Sequence, residues 1–301
     1  MNRKSFFQTY KNCADEATLD KIWQNKLIEK EAINLRECKL YDLSPLKHST
    51  HLRYVYADNT DVEDLSPLGN LTLKEIHVSH TKVKRIDVLK HIPTLKRLNL
   101  SHTLIEDLSP LSKLSILHSL FISNTPIENV RPLQNLSFAV LDFSDTNVKD
   151  ISALKEVGYL HFTNTLVSDL SSLRRVSLLD AQNTAVTDLT PLKDVIPLRL
   201  INVSDTKVSD ISPLKNVYSL FVLNIQNTLV TDLSPLSQFI ARKNCIIYWN
   251  TPIEEGKYRI YTKGCSLENP PLNIIKQGQA AILEYWNKQG VSTKPLLSPY
   301  S

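Results

Sequence analysis

The sequence predicts an α/β solenoid in which about ten to eleven short units stack on one another. Ten related segments begin at intervals of 19 to 22 residues between Asp42 and Asp232, and four of them read Asp-Leu-Ser-Pro-Leu. A fixed period in this range is typical of repeat architectures, in which each unit packs on its neighbours. Such a chain presents a long face and no central pocket, and extended faces of this kind are typical of proteins that bind other proteins.

Residues 95–114 show what one unit contains. Leu98 and Leu100 alternate with polar residues, which predicts a short strand with one face turned inward. The Ser109-Pro110 pair predicts the start of a helical or 3₁₀ turn, because Ser is a good N-cap and Pro is favoured at the first helical position. Stacked units would then form a parallel sheet with one strand per unit, and the turns would lie on the opposite, convex side.

A threonine recurs after the predicted strands. A tight turn leaves backbone groups unpaired, and burying an unpaired group costs roughly 1–3 kcal/mol. We therefore expect a buried row of hydroxyls, each serving the turn above and the turn below. The row comprises Thr60, Thr81, Thr103, Thr125, Thr146, Thr165, Thr184, Thr206, Thr228 and Thr251, with Cys38 at this position in the first unit.

The consensus LxxLxLxxTxIxxLxPLxxL resembles the leucine-rich repeat family, with Thr where that family usually has Asn or Cys. Its length is most similar to the short repeats, about 22 residues long, of bacterial internalins and phosphatase-regulating subunits. The resemblance covers about residues 31–253. It implies a curved horseshoe with a parallel concave sheet and short turns on its convex side.

Both ends of the solenoid are expected to carry helical caps, because stacking leaves apolar surface exposed there. Residues 1–30 are the predicted N-terminal cap, with a helix beginning at Thr18 and no ordered pattern in 1–12. Residues 254–301 are the predicted C-terminal cap, with a helix at about 271–288. This segment resembles the junction that follows the repeats in bacterial Roc-COR proteins, but the sequence contains no G-x-x-x-x-G-K-[ST] phosphate loop of a GTPase.

Composition narrows the possible partners and locations. A net charge of +4 is too small to indicate nucleic-acid binding, and no apolar stretch is long enough to predict a membrane span. The N-terminus shows no secretory signal pattern and the four cysteines have no paired spacing, which favours a reduced, cytoplasmic environment. Uniform, lysine-rich repeats also resemble those of bacterial effectors, so translocation into a host cell is the alternative location.

The outward side chains of the predicted strands are the candidate partner-binding residues. Aromatic and charged side chains recur there although no core needs them, and aromatic residues and Arg are enriched at binding hot spots. The alternative interpretation is that these rings stack on one another and cover the sheet. The candidates are Tyr54, Tyr56, His77, Arg97, Asn99, Phe121, Asp142, Tyr159, His161 and Asp180.

We interpret the chain as a monomeric, non-enzymatic module that binds a protein partner through the concave sheet face and uses no cofactor. The first alternative is a regulatory subunit or scaffold that clamps a phosphatase or a GTPase. The second is an enzyme with an unrecognised site, built on a metal, a carboxylate pair or a thiol of lowered pKa. The groups considered for it are His48 with His51, Asp142 with Asp180, and Cys245 or Cys265.

Overall fold

The computed structural model describes residues 1–249 and 258–295. The chain divides into two compact units, Met1–Val148 (unit 1) and Lys149–Ser301 (unit 2). Thr251, predicted to close the threonine row, lies outside the described residues. No helix in the described ranges has the length and apolar character needed to cross a membrane.

Unit 1 contains strands that pair in parallel and in chain order. In each three-residue strand the central residue is buried, as the alternation of apolar and polar residues predicts. The strands are β1 (Ala32–Asn34), β2 (Tyr54–Tyr56), β3 (Glu75–His77), β4 (Arg97–Asn99), β5 (Ser119–Phe121) and β6 (Phe138–Asp142).

Unit 2 contains parallel strands whose order departs from the chain order at its end. They are β7 (Glu156–His161), β8 (Arg175–Asp180), β9 (Leu200–Asn202), β10 (Val222–Asn224), β11 (Cys245–Tyr248) and β12 (Tyr258–Tyr261). Strand β12 lies between β10 and β11, so that Leu223 and Ile247 are both in register with Ile260. Ile260 is fully buried and continues the interior row of Leu223. Strand β12, and not the strand β11 that precedes it in the chain, therefore pairs with β10.

Short 3₁₀ helices follow most strands, as predicted. The cap is different from the one expected: the N–H of Ser44 is bound by the carboxylate of Asp42 at 2.7 Å, and Asp107 binds Ser109 in the same way at 2.8 Å. The aspartate that opens the repeated phrase therefore caps the turn by an Asx motif. The 3₁₀ helices are Ser44–Leu46, Ser66–Leu68, Asp87–His91, Ser109–Lys113 and Arg131–Leu133 in unit 1, and Thr190–Asp194, Ser212–Asn216 and Ser234–Leu236 in unit 2.

Two repeats of unit 2 are 19 residues long and replace the 3₁₀ helix with a single turn. Leu154 N–H donates to the Ile151 carbonyl at 2.8 Å, and Leu173 N–H donates to the Leu170 carbonyl at 3.1 Å. The chain then enters β7 and β8 directly, and each of these strands has six residues. The shortening therefore converts part of the turn region into strand.

The threonine row is buried, but its hydrogen bonds differ from those expected. From Thr60 to Thr228, each hydroxyl of the row donates to the carbonyl three residues earlier in its own turn; Thr103, for example, donates to Leu100 at 2.6 Å. The residue before each of these threonines has a positive φ, as in His102 at 55°. A turn of this kind points the carbonyl inward, and the hydroxyl satisfies it locally instead of bridging two repeats. Thr184 is partly exposed.

The N-terminal segment forms two helices, α1 (Arg3–Tyr10) and α2 (Glu16–Ile28). Helix α1 was missed in the sequence; it buries Phe6 against Trp23, with ring centroids 5.3 Å apart. Helix α2 begins earlier than predicted, because the Asp15 carboxylate accepts the N–H of Thr18 and forms the N-cap. Thr18 itself is buried inside the helix.

Helix α3 (Ser237–Ile240) directly follows the 3₁₀ helix Ser234–Leu236, and the C-terminal segment forms α4 (Leu272–Ile275) and α5 (Gln279–Lys288). The single helix expected at about 271–288 is divided in two, because Gly278 has φ +92°, which no helix residue adopts. Helix α5 is anchored by Trp286, which is fully buried and donates from Nε1 to Asn269 Oδ1 at 2.9 Å. The role of both helical segments as caps stays a prediction.

Candidate functional site

The candidate residues lie at outward positions of the strands, which are the first and third residues of the three-residue strands β2 to β5 and the positions in register with them in the longer strands β6, β7 and β8. In unit 1, Tyr54 is in register with Glu75, and Glu75 is in register with Arg97. The second outward row runs through Tyr56, His77, Asn99, Phe121 and Asp142. Adjacent strands are about 4.8 Å apart, so neighbours in a row are within side-chain contact.

Three candidates of unit 1 meet at one carboxylate, that of Glu75. The Tyr56 hydroxyl donates to Glu75 Oε2 at 3.4 Å, and His77 Nε2 lies 3.7 Å from the same oxygen. Arg97 approaches Glu75 Oε1 at 3.4 Å. The rings of Tyr56 and His77 also pack edge to face with centroids 5.0 Å apart. This cluster is partly stabilised by contacts within the face, as the alternative interpretation anticipated.

A second carboxylate, that of Asp58, lies two residues after β2, the strand that carries Tyr56. Asp58 accepts from Arg36 Nε at 2.6 Å and from the N–H and hydroxyl of Ser79 at 2.9 and 2.7 Å. The Arg36 guanidinium also lies over the Tyr56 ring at 4.7 Å. The alternation of the strand would turn Asp58 outward, but it is buried. The available signal was the opposite charge of Arg36 and Asp58 at a spacing of one repeat.

Burial changes the ionisation of this face. Burial lowers the pKa of His77 below its usual 6.5, although the neighbouring carboxylates of Asp58 and Glu75 oppose that shift. Burial and the adjacent Glu75 carboxylate raise the pKa of Tyr56. Burial works against ionisation of Asp58, but its hydrogen bonds from Arg36 and Ser79 outweigh that effect and lower its pKa. His77 is therefore neutral at pH 7, while Asp58 is charged.

Two further candidates of unit 1, Asn99 and Asp142, accept hydrogen bonds from the backbone at the ends of their strands. Asn99 Oδ1 accepts the N–H of Ser101 at 3.0 Å, and Asp142 Oδ1 accepts the N–H of Ser144 at 2.9 Å. These Asx turns bind the backbone where the strand ends, which explains a short polar residue at this position without a partner. Phe121 lies in register between Asn99 and Asp142 and is partly exposed.

Unit 2 brings its remaining candidates together in part. His161 Nδ1 lies 3.7 Å from Asp180 Oδ2, and Asn202 Nδ2 donates to Asp180 Oδ1 at 2.8 Å. Tyr159 stands in the first outward row and is 50% exposed. The polar residues of unit 2 thus form a small chain across β7, β8 and β9, with Tyr159 beside it.

An apolar row follows Tyr159 that we did not include among the candidates. Leu178 is in register with Tyr159, Leu200 with Leu178, and Val222 with Leu200. All are outward, and the three aliphatic side chains are partly exposed. We call Tyr159, Leu178, Leu200 and Val222 the apolar stripe. Its signal was present in the sequence, because these aliphatic residues fall at strand positions that the core does not require.

Three of the residues considered for catalysis, Cys245, Cys265 and His51, are buried or hydrogen-bonded within the fold. Burial raises the pKa of the Cys245 thiol to about 12 despite the nearby Arg242, so the expectation of a lowered thiol pKa there is wrong. Cys265 donates to the Ile225 carbonyl at 2.9 Å, and His51 Nε2 lies 3.2 Å from Asn25 Oδ1 on α2. Within residues 1–249 and 258–295, no group of three or more His, Cys, Asp or Glu could hold a metal ion.

No protein-family model matches the chain, and no curated protein sequence matches it. Solved structures with the same architecture do match. An internalin, InlF from Listeria monocytogenes, has a TM-score of 0.63 at 19% identity, over 87% of this chain and 85% of that one. A leucine-rich repeat protein of Leptospira interrogans has a TM-score of 0.68 at 15% identity, over 84% of this chain and 66% of that one.

A plant protein shares the architecture over a smaller part of its length. The leucine-rich repeat ectodomain of a membrane receptor kinase from Arabidopsis thaliana, solved in complex with CASPARIAN STRIP INTEGRITY FACTOR 2, has a TM-score of 0.50 at 15% identity. That match covers 69% of this chain and 31% of the plant chain. The parallel strands, the 3₁₀ turns and these similarities show that the chain has the leucine-rich repeat fold predicted from its sequence.

Proposed function

We propose that this chain is a non-enzymatic recognition module that binds a protein partner through the outward faces of its strands. The observation that carries the proposal is the apolar stripe of unit 2. Side chains of Tyr159, Leu178, Leu200 and Val222 face away from a core that the inward residues already fill. Contiguous exposed apolar residues with a polar border are typical of interaction sites.

The stripe has the composition of a binding site with one anchor. Tyr159 is half exposed and offers a large, stiff ring, and such rings dominate interface energetics because they bury much area at low entropic cost. The aliphatic neighbours are only partly exposed, so they form a fixed floor beside the ring. His161, Asp180 and Asn202 supply a hydrogen-bonding border along the same strands.

The rigidity of the scaffold favours affinity. Successive backbone bonds hold β7 to β8, β8 to β9 and β9 to β10 in register, so the stripe is in place before a partner arrives. A preformed site avoids the ordering cost that a flexible surface incurs on binding. The stripe runs about 14 Å across four strands, a width that suits an extended segment or an exposed helix of a partner.

A cytoplasmic location and the alternative of translocation into a host cell stay predictions from the sequence, which indicates a protein partner without identifying it. The regulatory alternative uses the same surface, with the activity residing in the bound enzyme. Stable capture of a phosphatase or GTPase in equal stoichiometry would favour that alternative over a general recognition module.

Selection from a displayed library of short random peptides tests the proposal and does not require the partner to be identified first. The purified chain is the bait, and enriched peptides are measured against a variant with Leu178→Glu and Leu200→Glu. We expect the selected peptides to carry apolar residues and to lose at least about tenfold in affinity for this variant, a change of about 1.4 kcal/mol.

A matched control replaces exposed leucines that lie beyond the strands. Leu166 and Leu229 are 52% and 60% exposed in the turns of unit 2, so Leu166→Glu with Leu229→Glu makes the same chemical change off the strand face. This control should retain binding. Peptides that depend on the control leucines and ignore the stripe would show that the strand face is not the recognition surface.

A further inference from the structure

Unit 1 carries a row of basic side chains at the starts of its strands. Arg53, Lys74, Lys96 and His118 each immediately precede the first residue of a strand. Their backbones form one ladder: Lys74 N–H donates to Arg53 O at 2.7 Å, Lys96 N–H to Lys74 O at 2.8 Å, and His118 N–H to Lys96 O at 3.0 Å. We call these four residues the basic row.

The ladder gives the basic row defined ends. Arg53 N–H donates to the carbonyl of Glu31, and Ala139 N–H donates to the carbonyl of His118. An acidic residue therefore precedes the row and an uncharged one follows it. Strands of a sheet are about 4.8 Å apart, so the four positions span about 14 Å.

The side chains of the basic row are not paired with the carboxylates beside it. In the described part of the chain, none of the four side chains forms an ion pair with a carboxylate. The carboxylate of Glu75, which follows Lys74 and begins β3, contacts Arg97, His77 and Tyr56. Lys74 Nζ instead lies 5.9 Å from the Tyr54 ring, and Arg53 donates to the carbonyls of Thr50 and Leu52.

The basic row is as long as a short extended peptide, although its positions are closer together than alternate residues of such a peptide. Alternate residues of an extended chain point to the same side and are about 6.8 Å apart, so three acidic residues at every second position span about 14 Å. A segment lying across the strand starts would thus place each carboxylate within reach of the row. Long Lys side chains can adjust over such distances, and Arg53 offers a planar fork for a carboxylate.

We propose that the basic row binds an extended peptide segment of a protein partner in which acidic residues occur at every second position. This inference rests on the proposed recognition function and names the chemistry of one partner segment. A protein segment fits better than a nucleic acid, because four positions that span about 14 Å are a short footprint for a charged phosphate backbone. The net charge of the chain is also a modest +4.

Unit 2 does not repeat the arrangement. At the same strand position it has Gly158, Ser177, Arg199 and Phe221, with a single basic residue. The basic row is therefore not a by-product of the repeat consensus, which is shared by both units. It belongs to unit 1 and gives that unit a chemical preference of its own.

The test measures the fluorescence anisotropy of a labelled peptide in which glutamate alternates with serine. It uses the full chain, a variant with Lys74→Glu and Lys96→Glu, and a control variant with Lys207→Glu and Lys215→Glu, which reverses two exposed lysines of unit 2. Circular dichroism and thermal unfolding establish that each variant is folded. We expect the first variant to lose roughly tenfold in affinity, because two attractions become repulsions, and the control to keep the affinity of the parent chain.

Salt and peptide sequence sharpen the result. Binding should weaken as ionic strength rises, because the contacts are exposed charges. A peptide with the same number of glutamates in one block should bind severalfold more weakly, since half of its carboxylates point away from the row. Equal affinity for the block peptide, or for the Lys74→Glu, Lys96→Glu variant, would overturn the proposal, and tighter binding of a short single-stranded DNA would reassign the row to nucleic acid.

Failure of this inference is distinguishable from failure of the proposed function. If the alternating peptide does not bind while displayed peptides still select the apolar stripe, the basic row is not a peptide site and recognition through the strand face stands. If selection yields no peptide that depends on any outward strand residue, the proposed function fails as well.

Discussion

The strand faces of the two units differ in chemistry although their interiors are built alike. In unit 1 the outward residues converge on two carboxylates, Glu75 and Asp58, and a basic row borders them. In unit 2 the corresponding first row is the apolar stripe from Tyr159 to Val222. The repeat pattern constrains the inward residues, which must pack, and leaves the outward ones free to differ. One repeat pattern can therefore carry two outward surfaces of different chemistry.

The largest expected effect tests whether the interiors are equivalent. Leu100 in unit 1 and Ile225 in unit 2 are both fully buried at the position after a strand. Leu100→Ala and Ile225→Ala should each lower the free energy of unfolding by about 2–5 kcal/mol, because each leaves a cavity in a packed core. Urea denaturation measures this loss.

Leu104→Ala is the control for these core substitutions. Leu104 is 47% exposed, so its removal should change the free energy of unfolding by no more than about 0.5 kcal/mol. A cost below about 0.5 kcal/mol for either core substitution would contradict the assigned inward register.

A smaller loss in the free energy of unfolding is expected from substitutions just after the strands, and its size should differ between the two units. Asp58→Ala removes the acceptor of Ser79 N–H and the partner of Arg36, and should cost about 1–3 kcal/mol. Ser204 occupies the equivalent position in unit 2 and donates to Asn202 at 2.8 Å. Ser204→Ala should cost less, about 1 kcal/mol, because its N–H keeps Asn202 as acceptor. Equal costs would remove this distinction between the units.

The contribution of Asp58 to the free energy of unfolding should depend on pH. Its hydrogen bonds hold the folded-state pKa below the usual 3.8, so its stabilisation is fully present above about pH 3.8. That stabilisation is lost as the pH falls through the lowered folded-state pKa. The difference in free energy of unfolding between the parent chain and Asp58→Ala should therefore shrink in acid. A difference that stays constant in acid would mean that the charge of Asp58 does not stabilise the fold.

A weaker pH dependence is expected from His77. Burial lowers its pKa below 6.5, so the unfolded chain binds more protons than the folded one just below that pH. Stability from the neutral ring is present above about pH 6.5 and declines as the pH falls through the folded-state pKa. Glu75, 3.7 Å from Nε2, limits the loss by stabilising the charged form.

Nuclear magnetic resonance of the imidazole protons measures this titration directly. We expect His77 to titrate below 6.5, and His77→Gln to flatten the decline of stability in that range. A midpoint at or above 6.5 would show that Glu75 and Asp58 outweigh burial, and that the face of unit 1 is better solvated than described.

The smallest effect on stability is expected in the apolar stripe. Tyr159 is 50% exposed, so Tyr159→Ala should change the free energy of unfolding by no more than about 0.5 kcal/mol. The same substitution should weaken stripe-dependent peptides by about 1 kcal/mol or more if the ring is an anchor. A large loss of stability with unchanged binding would assign Tyr159 to the fold and not to recognition.

The candidate residues show how far outward positions can be interpreted from sequence alone. Alternation placed Tyr54, Tyr56 and Tyr159 on the outward face, because a strand has a period of two. It could not reveal that Asn99 and Asp142 bind the backbone of their own turns, since a polar outward residue looks the same with or without that bond. The same alternation placed the aliphatic residues of the apolar stripe outward, but they were not selected as candidates because aromatic and charged residues were favoured as binding residues.

The ends of the repeats were harder to predict than the repeats themselves. Helix α1 is short and mostly polar, and its buried residue, Phe6, packs against Trp23 of α2. The division of the C-terminal helix depends on Gly278, whose positive φ is a feature of the folded backbone. Strand β12 lies between β10 and β11, where Ile260 continues the interior row. Both β11 and β12 could in principle pair with β10, and a local pattern does not show which of them does.

The sequence by itself determined the stacking period, the inward residues and the turn type. Each of these depends on the spacing of nearby residues, and that spacing recurs from repeat to repeat. The tertiary structure decided the strand order at the end of unit 2, the burial of Asp58 and the grouping of Tyr56, His77 and Arg97 around Glu75. The physical reason is that these features depend on contacts between residues one or more repeats apart. Their energies depend on burial and on partner geometry, which no local pattern records.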